Sequence, residues 1–288
     1  MNPRIGIVVV GFDSDQVWSA FFESLSGSRV QPQHVVVVEN SASMPSTIPP
    51  SWKKKIKLIH RPDNPGYGAA ANYGVKHLLQ EADVVVVCNP DLVWTPKSLE
   101  ILTKELLAHP TAGIAGPHLM NTDGSTYPSA RAFPGIRVGI GHALLGDVWK
   151  KNPWTKKYLG HYEGSDSRVV DWLSGACLAI KPEAYHSVGG FDEDYFMFVE
   201  DVDLCFRLKK KGWRSLFVPR ASITHSGAHS TGPRMADMVK VHHDSARKFL
   251  FTLYEGPRYA TLRLALRLGL WLRSLIAPLR YSATSQKN

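Results

Sequence analysis

No stretch of this 288-residue chain offers the roughly eighteen uncharged apolar residues of a membrane-spanning helix. Cysteine is scarce: Cys88, Cys177 and Cys205 lie far apart, odd in number and without metal-ligand spacing. Such a set implies neither a disulfide framework nor a thiolate metal site, and it fits a reducing compartment. Internal repeats are absent, and the only low-complexity stretch is the short polar tail SATSQKN. The N-terminus reads as a strand rather than a signal peptide, because the apolar part of MNPRIGIVVVGFDSD is short and Asp13 and Asp15 follow at once. No Ser-His or Cys-His arrangement suggests a covalent nucleophile, and no nucleic-acid-binding module is recognisable.

Acidic residues are outnumbered, 25 against 34 basic, giving a net charge of +9 and a pI of about 9.4. That balance suits anionic partners: nucleic acid, anionic lipid or phosphorylated small molecules. The basic residues are dispersed or lie beside apolar helix faces, which disfavours nucleic acid. The hydrophobic fraction of 44% supports one large domain with or without appendages.

Short β-branched runs alternate with helical patterns. The runs are 4–10, 35–39, 56–60 and 84–88, and the helical stretches fall near 14–25, 67–80 and 96–108. Unbroken apolar strands between helices predict an α/β fold with a mostly parallel sheet, whose ligands bind beyond the carboxyl ends of the strands. Three polar clusters follow strand ends: Gly11-Phe12-Asp13, Glu39-Asn40-Ser41 and Asn89-Pro90-Asp91. All three are expected to face one crevice. There Asp91 is a ligand for a hard divalent cation or a turn cap. Asn64-Pro65-Gly66-Tyr67-Gly68 opens a helix and offers free N–H groups to a nucleotide, although it is neither a P-loop nor GxGxxG.

Residues 110–170 read as a long surface excursion with a basic-aromatic stretch at 148–162. A second ordered block spans about 169–226, with strands at 176–181 and 215–219 and a helix from Pro182. Within it, Glu200 and Asp203 share a helix face while Asp201 points elsewhere. Any of these carboxylates, in apolar surroundings, is either a general base or a residue favoured by the helix dipole. His225 follows a strand and is a metal ligand or a structural histidine. Helices are expected near 235–253 and 258–277. The latter, rich in leucine and arginine, reads as an amphipathic helix in a membrane interface or packed on the domain.

Taken together, VVVVENSAS (35–43), NPGYGAAANYG (64–74), VVVVCNPD (84–91), the block 171–213 and SITHSGAHST (222–231) resemble the family 2 glycosyltransferases of GT-A fold. Within the family the likeness is to bacterial rhamnosyltransferases. The resemblance implies a Rossmann-like mixed sheet at 1–232, with a donor half about 1–115 and an acceptor half about 116–232. Residues 233–288 would form a C-terminal amphipathic helical extension that associates with membrane. It assigns Asp201 as the general base, and Asp91 and His225 as ligands of a divalent metal, Mn²⁺ or Mg²⁺. Phe12, Glu39, Asn64, Gly66, Asn72, Asn89 and Asp91 fall on the donor side. Trp172, Gly175, Asp192 and Arg131 fall on the acceptor side, with Arg131 and Arg207 open to diphosphate or structural contacts. Asn89 stands where the family has an Asp, and Glu39 where it usually has an Asp. The activity implied is inverting transfer of L-rhamnose from dTDP-L-rhamnose to a GlcNAc-diphospho-polyprenol lipid in cell-wall linker synthesis, at the cytoplasmic face of the plasma membrane. Another nucleotide sugar, such as a UDP-sugar, or a non-catalytic scaffold of the same fold are the alternatives. A sugar-nucleotide pyrophosphorylase would carry a Gly-rich basic loop after the first strand, where this chain has the acidic GFDSDQVW.

Overall fold

The computed structural model describes residues 3–134, 164–227, 235–265 and 268. The first half alternates strand and helix: β1 (Ile5–Gly11), α1 (Trp18–Ser26), β2 (His34–Glu39), α2 (Pro50–Lys53), β3 (Ile56–His60), α3 (Tyr67–Val75) and β4 (Val84–Cys88). Next come β5 (Leu92–Trp94), α4 (Ser98–Ala108), β6 (Ala112–Met120), β7 (Thr126–Tyr127) and β8 (Ala130–Arg131). The second half holds β9 (Arg168–Val170), β10 (Trp172–Leu173), β11 (Cys177–Ile180), α5 (Pro182–Ser187), α6 (Glu200–Lys210), β12 (Arg214–His225) and α7 (Met235–Leu253).

The main sheet runs β3-β2-β1-β4-β11-β6-β12-β5. Strands β3, β2, β1 and β4 are parallel, whereas β11 runs antiparallel to both β4 and β6. The sheet is therefore mixed. Period-two alternation splits β1 between two cores. Ile5, Ile7 and Val9 join Trp18, Phe21, Phe22 and Leu99 on one face, while Val8 and Val10 join Ala70, Val75, Leu204 and Phe249 on the other. Every residue of β1 and β4 is buried, which explains why both read as unbroken apolar runs.

One expectation is corrected. Residues 112–120 are a core strand of the main sheet rather than part of a surface excursion. Its sequence AGIAGPHLM has the glycines and proline of a loop, but the glycines answer to packing. A Cβ on Gly113 would come within 2.9 Å of the Trp213 side chain, and one on Gly116 equally near Leu173. The basic-aromatic stretch 148–162 lies outside the described residues.

Helix α7 packs on the domain. Phe249 is 1% exposed and meets Phe206 and Phe133 with ring centroids 5.7 and 6.3 Å apart. Burying such a ring is worth about 1.5–3 kcal/mol. The chain continues helical at 260–265, where Arg263 donates to the Tyr254 and Gly256 carbonyls at 3.0 and 2.8 Å. Leu264 and Leu268 are more than half exposed. The remainder of the expected helix to 277 lies outside the described residues. Among the described residues no helix is long and apolar enough to cross a membrane.

Candidate active site

The site is assembled by strand register. Strand β4 ends at Cys88, the chain turns through Asn89-Pro90-Asp91, and β5 pairs antiparallel with β12 so that Leu92 lies opposite His225. This pairing delivers His225 Nε2 to 3.3 Å from Asp91 Oδ2. The Gly227 N–H donates to the same carboxylate oxygen at 3.0 Å, and Ser226 N–H donates to the Asp91 carbonyl at 3.1 Å. Asn89 turns its amide toward His225 Nε2 at 3.5 Å. Among the described residues, Asp91 Oδ1 and His225 Nδ1 are buried without a hydrogen-bond partner. Burying a polar atom unpaired costs free energy, so an orphaned carboxylate oxygen beside an imidazole points to a missing ligand. A carboxylate and an imidazole suit Mn²⁺ or Mg²⁺, with phosphate oxygens and water completing the shell. No group of three or more His, Cys, Asp or Glu side chains gathers among the described residues.

A second polar cluster stands at the ends of β1 and β2, where Gly11 lies opposite Glu39. Glu39 is 1% exposed; its Oε1 accepts from the Ser41 N–H at 3.0 Å and from the Ser41 hydroxyl. Burial pushes its carboxyl above the ordinary range, while the Ser41 bonds oppose that shift. Among the described residues, Glu39 Oε2 and Asn40 Oδ1 are buried without a hydrogen-bond partner. A Cβ on Gly11 would sit 2.5 Å from Glu39 Oε2, so only glycine leaves that oxygen its space. Phe12 and Asn64 are half-buried near the strand ends, and Asn64 holds a left-handed φ of 42°. Gly66, at φ 94°, crosses the Phe196 backbone so closely that a Cβ would lie 2.2 Å from its carbonyl oxygen.

Asn72, expected on the donor side, bonds within the protein. Its amide nitrogen donates to Phe191 O and Glu193 Oε1, both at 2.9 Å, and its oxygen accepts from Phe191 N–H and the Tyr185 hydroxyl. All four of its hydrogen-bonding positions are used inside the protein. It clamps α3 to the loop that precedes α6.

On the other wall, Asp201 sits in the first turn of α6. Its Oδ2 accepts from Gly175 N–H at 2.8 Å and its Oδ1 from Val202 N–H at 2.8 Å. Burial raises its carboxyl above the usual range, against the pull of these two N–H groups. Burial also raises Glu200, and the Asp201 charge pushes the same way. The three acids of α6 thus separate as the helix period predicts. Asp203 turns inward to Arg207 at 2.6 Å, Glu200 is buried, and Asp201 reaches Gly175. Arg207 also donates to Val188 O and Gly190 O at 2.8 Å each, so it is a structural brace.

Register again explains proximity. Cys177 lies opposite Cys88, and Asn89 N–H donates to Ala176 O at 3.0 Å. Gly175, which holds Asp201, therefore stands beside the turn that carries Asp91. Trp172 lies opposite Arg131 in the small β8–β10 pair. Asp192 is drawn instead into a contact with α7, where Lys248 Nζ lies 2.8 Å from it and 3.1 Å from Asp194.

Some positioning residues carry no sequence signal. Phe198 and Val199 both adopt left-handed φ, 65° and 69°, immediately before Glu200. Such conformations cost about 1–3 kcal/mol each and persist only where neighbours enforce them. Tyr67 N–H donates to Phe196 O at 3.0 Å, and the Ser245 hydroxyl donates to Met197 O at 2.9 Å. The Tyr67 hydroxyl also donates to Gly175 O at 2.7 Å. These bonds hold the turn that aims Asp201.

Comparison with known proteins places the chain in a family. The family described as "Glycosyltransferase like family 2" matches residues 3–243. The N-acetylglucosaminyl-diphospho-decaprenol L-rhamnosyltransferase of Mycobacterium tuberculosis is 38% identical over 285 residues, covering 95% of this chain and 92% of the relative. Rhamnosyltransferase WbbL of Escherichia coli is 33% identical over 122 residues, 42% of this chain and 44% of its own. Among solved structures, the mannosyltransferase PcManGT of Pyrobaculum calidifontis, in complex with GDP-Man and Mn²⁺, superposes with a TM-score of 0.53 at 18% identity. That match covers 100% of this chain and 85% of the other. The mixed sheet is that of the GT-A glycosyltransferases, and the chain belongs to glycosyltransferase family 2.

Proposed function

We propose that this enzyme transfers L-rhamnose from dTDP-L-rhamnose to a GlcNAc-diphospho-polyprenol lipid, with inversion, at the cytoplasmic face of the membrane. The observation that carries the sugar and the acceptor is the 38% identity with the mycobacterial rhamnosyltransferase along nearly the whole of both chains. The geometry supports the chemistry.

Glu39, Asn40 and Asn64 offer polar contacts and Phe12 an apolar one to the nucleoside, and Gly66 keeps the adjoining backbone close. Asp91 and His225 would hold a divalent cation, which would supply positive charge to offset the negative charge gathering on the departing nucleoside diphosphate. Asn89 orients His225. Asp201 takes the proton from the acceptor hydroxyl as it attacks the anomeric carbon. Gly175 and Val202 N–H groups fix its two oxygens, and its partly buried setting raises its basicity. One base on the acceptor wall and one leaving-group site on the donor wall suffice for a direct displacement, which inverts the anomeric centre. Asn72 and Asp192 are scaffold residues in this reading, joining α3 and α7 to the loop that leads to Asp201. The net charge of +9 favours an anionic membrane surface.

The test is transfer to a short-chain GlcNAc-diphospho-prenol from dTDP-L-rhamnose, a UDP-hexose and a GDP-hexose, each with Mn²⁺ or Mg²⁺. Product from dTDP-L-rhamnose alone is expected; turnover confined to a UDP- or GDP-sugar would reassign the donor. Liposome flotation of the full chain against a chain ending at 257 tests the membrane contact, and equal flotation would remove it.

A further inference from the structure

We propose that Arg131, mounted on Trp172, is the acceptor's anion site: its guanidinium takes the phosphate attached to the anomeric carbon of the acceptor sugar while a ring hydroxyl of that sugar faces Asp201. This rests on the reading of Asp201 as the acceptor-side base.

Arg131 is held in place but not used up. Its Nε donates to Pro128 O at 2.7 Å, and its guanidinium carbon lies 5.1 Å from the centroid of the Trp172 ring. The ring is itself fixed, since Trp172 Nε1 donates to Ala132 O at 2.9 Å. These contacts set the plane of the fork. Among the described residues, its two terminal nitrogens make no hydrogen bond and no close ion pair, although the Asp201 carboxylate senses its charge. Neighbouring cations are spent differently: Arg207 on Asp203 and two carbonyls, Lys209 on Asp171, and Lys248 on Asp192 and Asp194.

The chain also fixes where this cation stands. Three residues after Trp172, Gly175 N–H grips Asp201, and Ser174 N–H donates to Ser129 O at 2.8 Å. The platform of Arg131 and the anchor of Asp201 therefore belong to one pinned segment. The Arg131 charge is near enough to favour the ionised form of Asp201. A cation and a base carried on one pinned segment suit the two ends of one sugar, a hydroxyl at one and an anomeric phosphate at the other. A planar fork with both terminal nitrogens open favours bidentate pairing with phosphate.

The experiment is calorimetric binding to the full chain of two soluble probes, geranyl-diphospho-GlcNAc and the neutral geranyl glycoside of GlcNAc, with dTDP as a third. The wild type is expected to prefer the diphosphate probe by about 10–100-fold, the range of a charge-assisted pair. Arg131→Gln should erase that preference and leave the neutral glycoside and dTDP unchanged. Arg131→Lys, which keeps the charge, should retain part of the preference and guards against a folding artefact. Lack of preference in the wild type, or a preference that survives Arg131→Gln, would overturn the proposal. So would a loss falling on dTDP, which would assign the fork to the donor. Failure of the wild type to transfer rhamnose would strike the rhamnosyl reading and leave this binding comparison standing.

Discussion

The two walls of the crevice are built on opposite plans. On the donor wall, polar groups sit at the ends of fully buried parallel strands and several are left unpaired: Glu39 Oε2, Asn40 Oδ1, Asp91 Oδ1 and His225 Nδ1. On the acceptor wall most polar groups hold one another, although Glu200 Oε2 and Arg207 Nη2 are likewise buried without a hydrogen bond among the described residues. Asn72 uses every hydrogen bond it can make, Asp203 and Arg207 close on each other, and Asp201 is gripped by two N–H groups. The difference follows from the backbone. Strand ends are already fixed by the sheet, so their side chains can wait for a ligand at no cost in order. The acceptor wall is a loop and a helix start, which need a network to hold shape.

Substitutions should therefore separate the walls, beginning with the largest effect. Asp201→Asn is expected to lower kcat by about 10²–10⁴-fold, the usual worth of a general base, with donor affinity kept. Retained turnover would remove the base from Asp201. Asp91→Ala should cost a similar order of activity but through the donor, with metal-dependent nucleotide affinity lost and the fold kept. A fall in melting temperature as deep as the loss of activity would instead make Asp91 structural. Asn72→Ala should act mainly on stability, by about 1–3 kcal/mol for each buried partner it strands. Urea unfolding checks this, and an unchanged midpoint with weakened dTDP binding would move Asn72 to the donor wall.

The smallest expected effect is on pH dependence. Burial raises Glu200, so the folded chain binds its proton more tightly than the unfolded chain does. Where the folded state holds more protons, stability falls as pH rises. Glu200 therefore contributes stability at low pH that is lost as pH climbs above the ordinary carboxylate range. Glu200→Gln should flatten the melting temperature over that climb, and an unaltered slope would place the titration elsewhere.

The donor wall was the more legible in sequence. Runs of valine ending in Glu39 and Asn89-Pro90-Asp91 appear as strands at 34–39 and 84–88, because a fully buried strand has no polar face to blur its pattern. The acceptor wall was harder to read. β6 hid behind the glycines and proline of AGIAGPHLM, whose reason is the close approach of Trp213 and Leu173. The meeting of Asp91 with His225 depends on β5, three residues long, whose pairing with β12 has no local signature. Likewise the left-handed pair Phe198-Val199 is imposed by tertiary contacts rather than by residue type.

The most direct test of the two-wall account is calorimetric titration of dTDP into the wild type, Asp91→Ala and Asp201→Asn, with and without Mn²⁺. The account predicts that Mn²⁺ tightens dTDP binding to the wild type and to Asp201→Asn alike, and that Asp91→Ala loses the gain. Equal loss in both variants, or a full gain in Asp91→Ala, would contradict it.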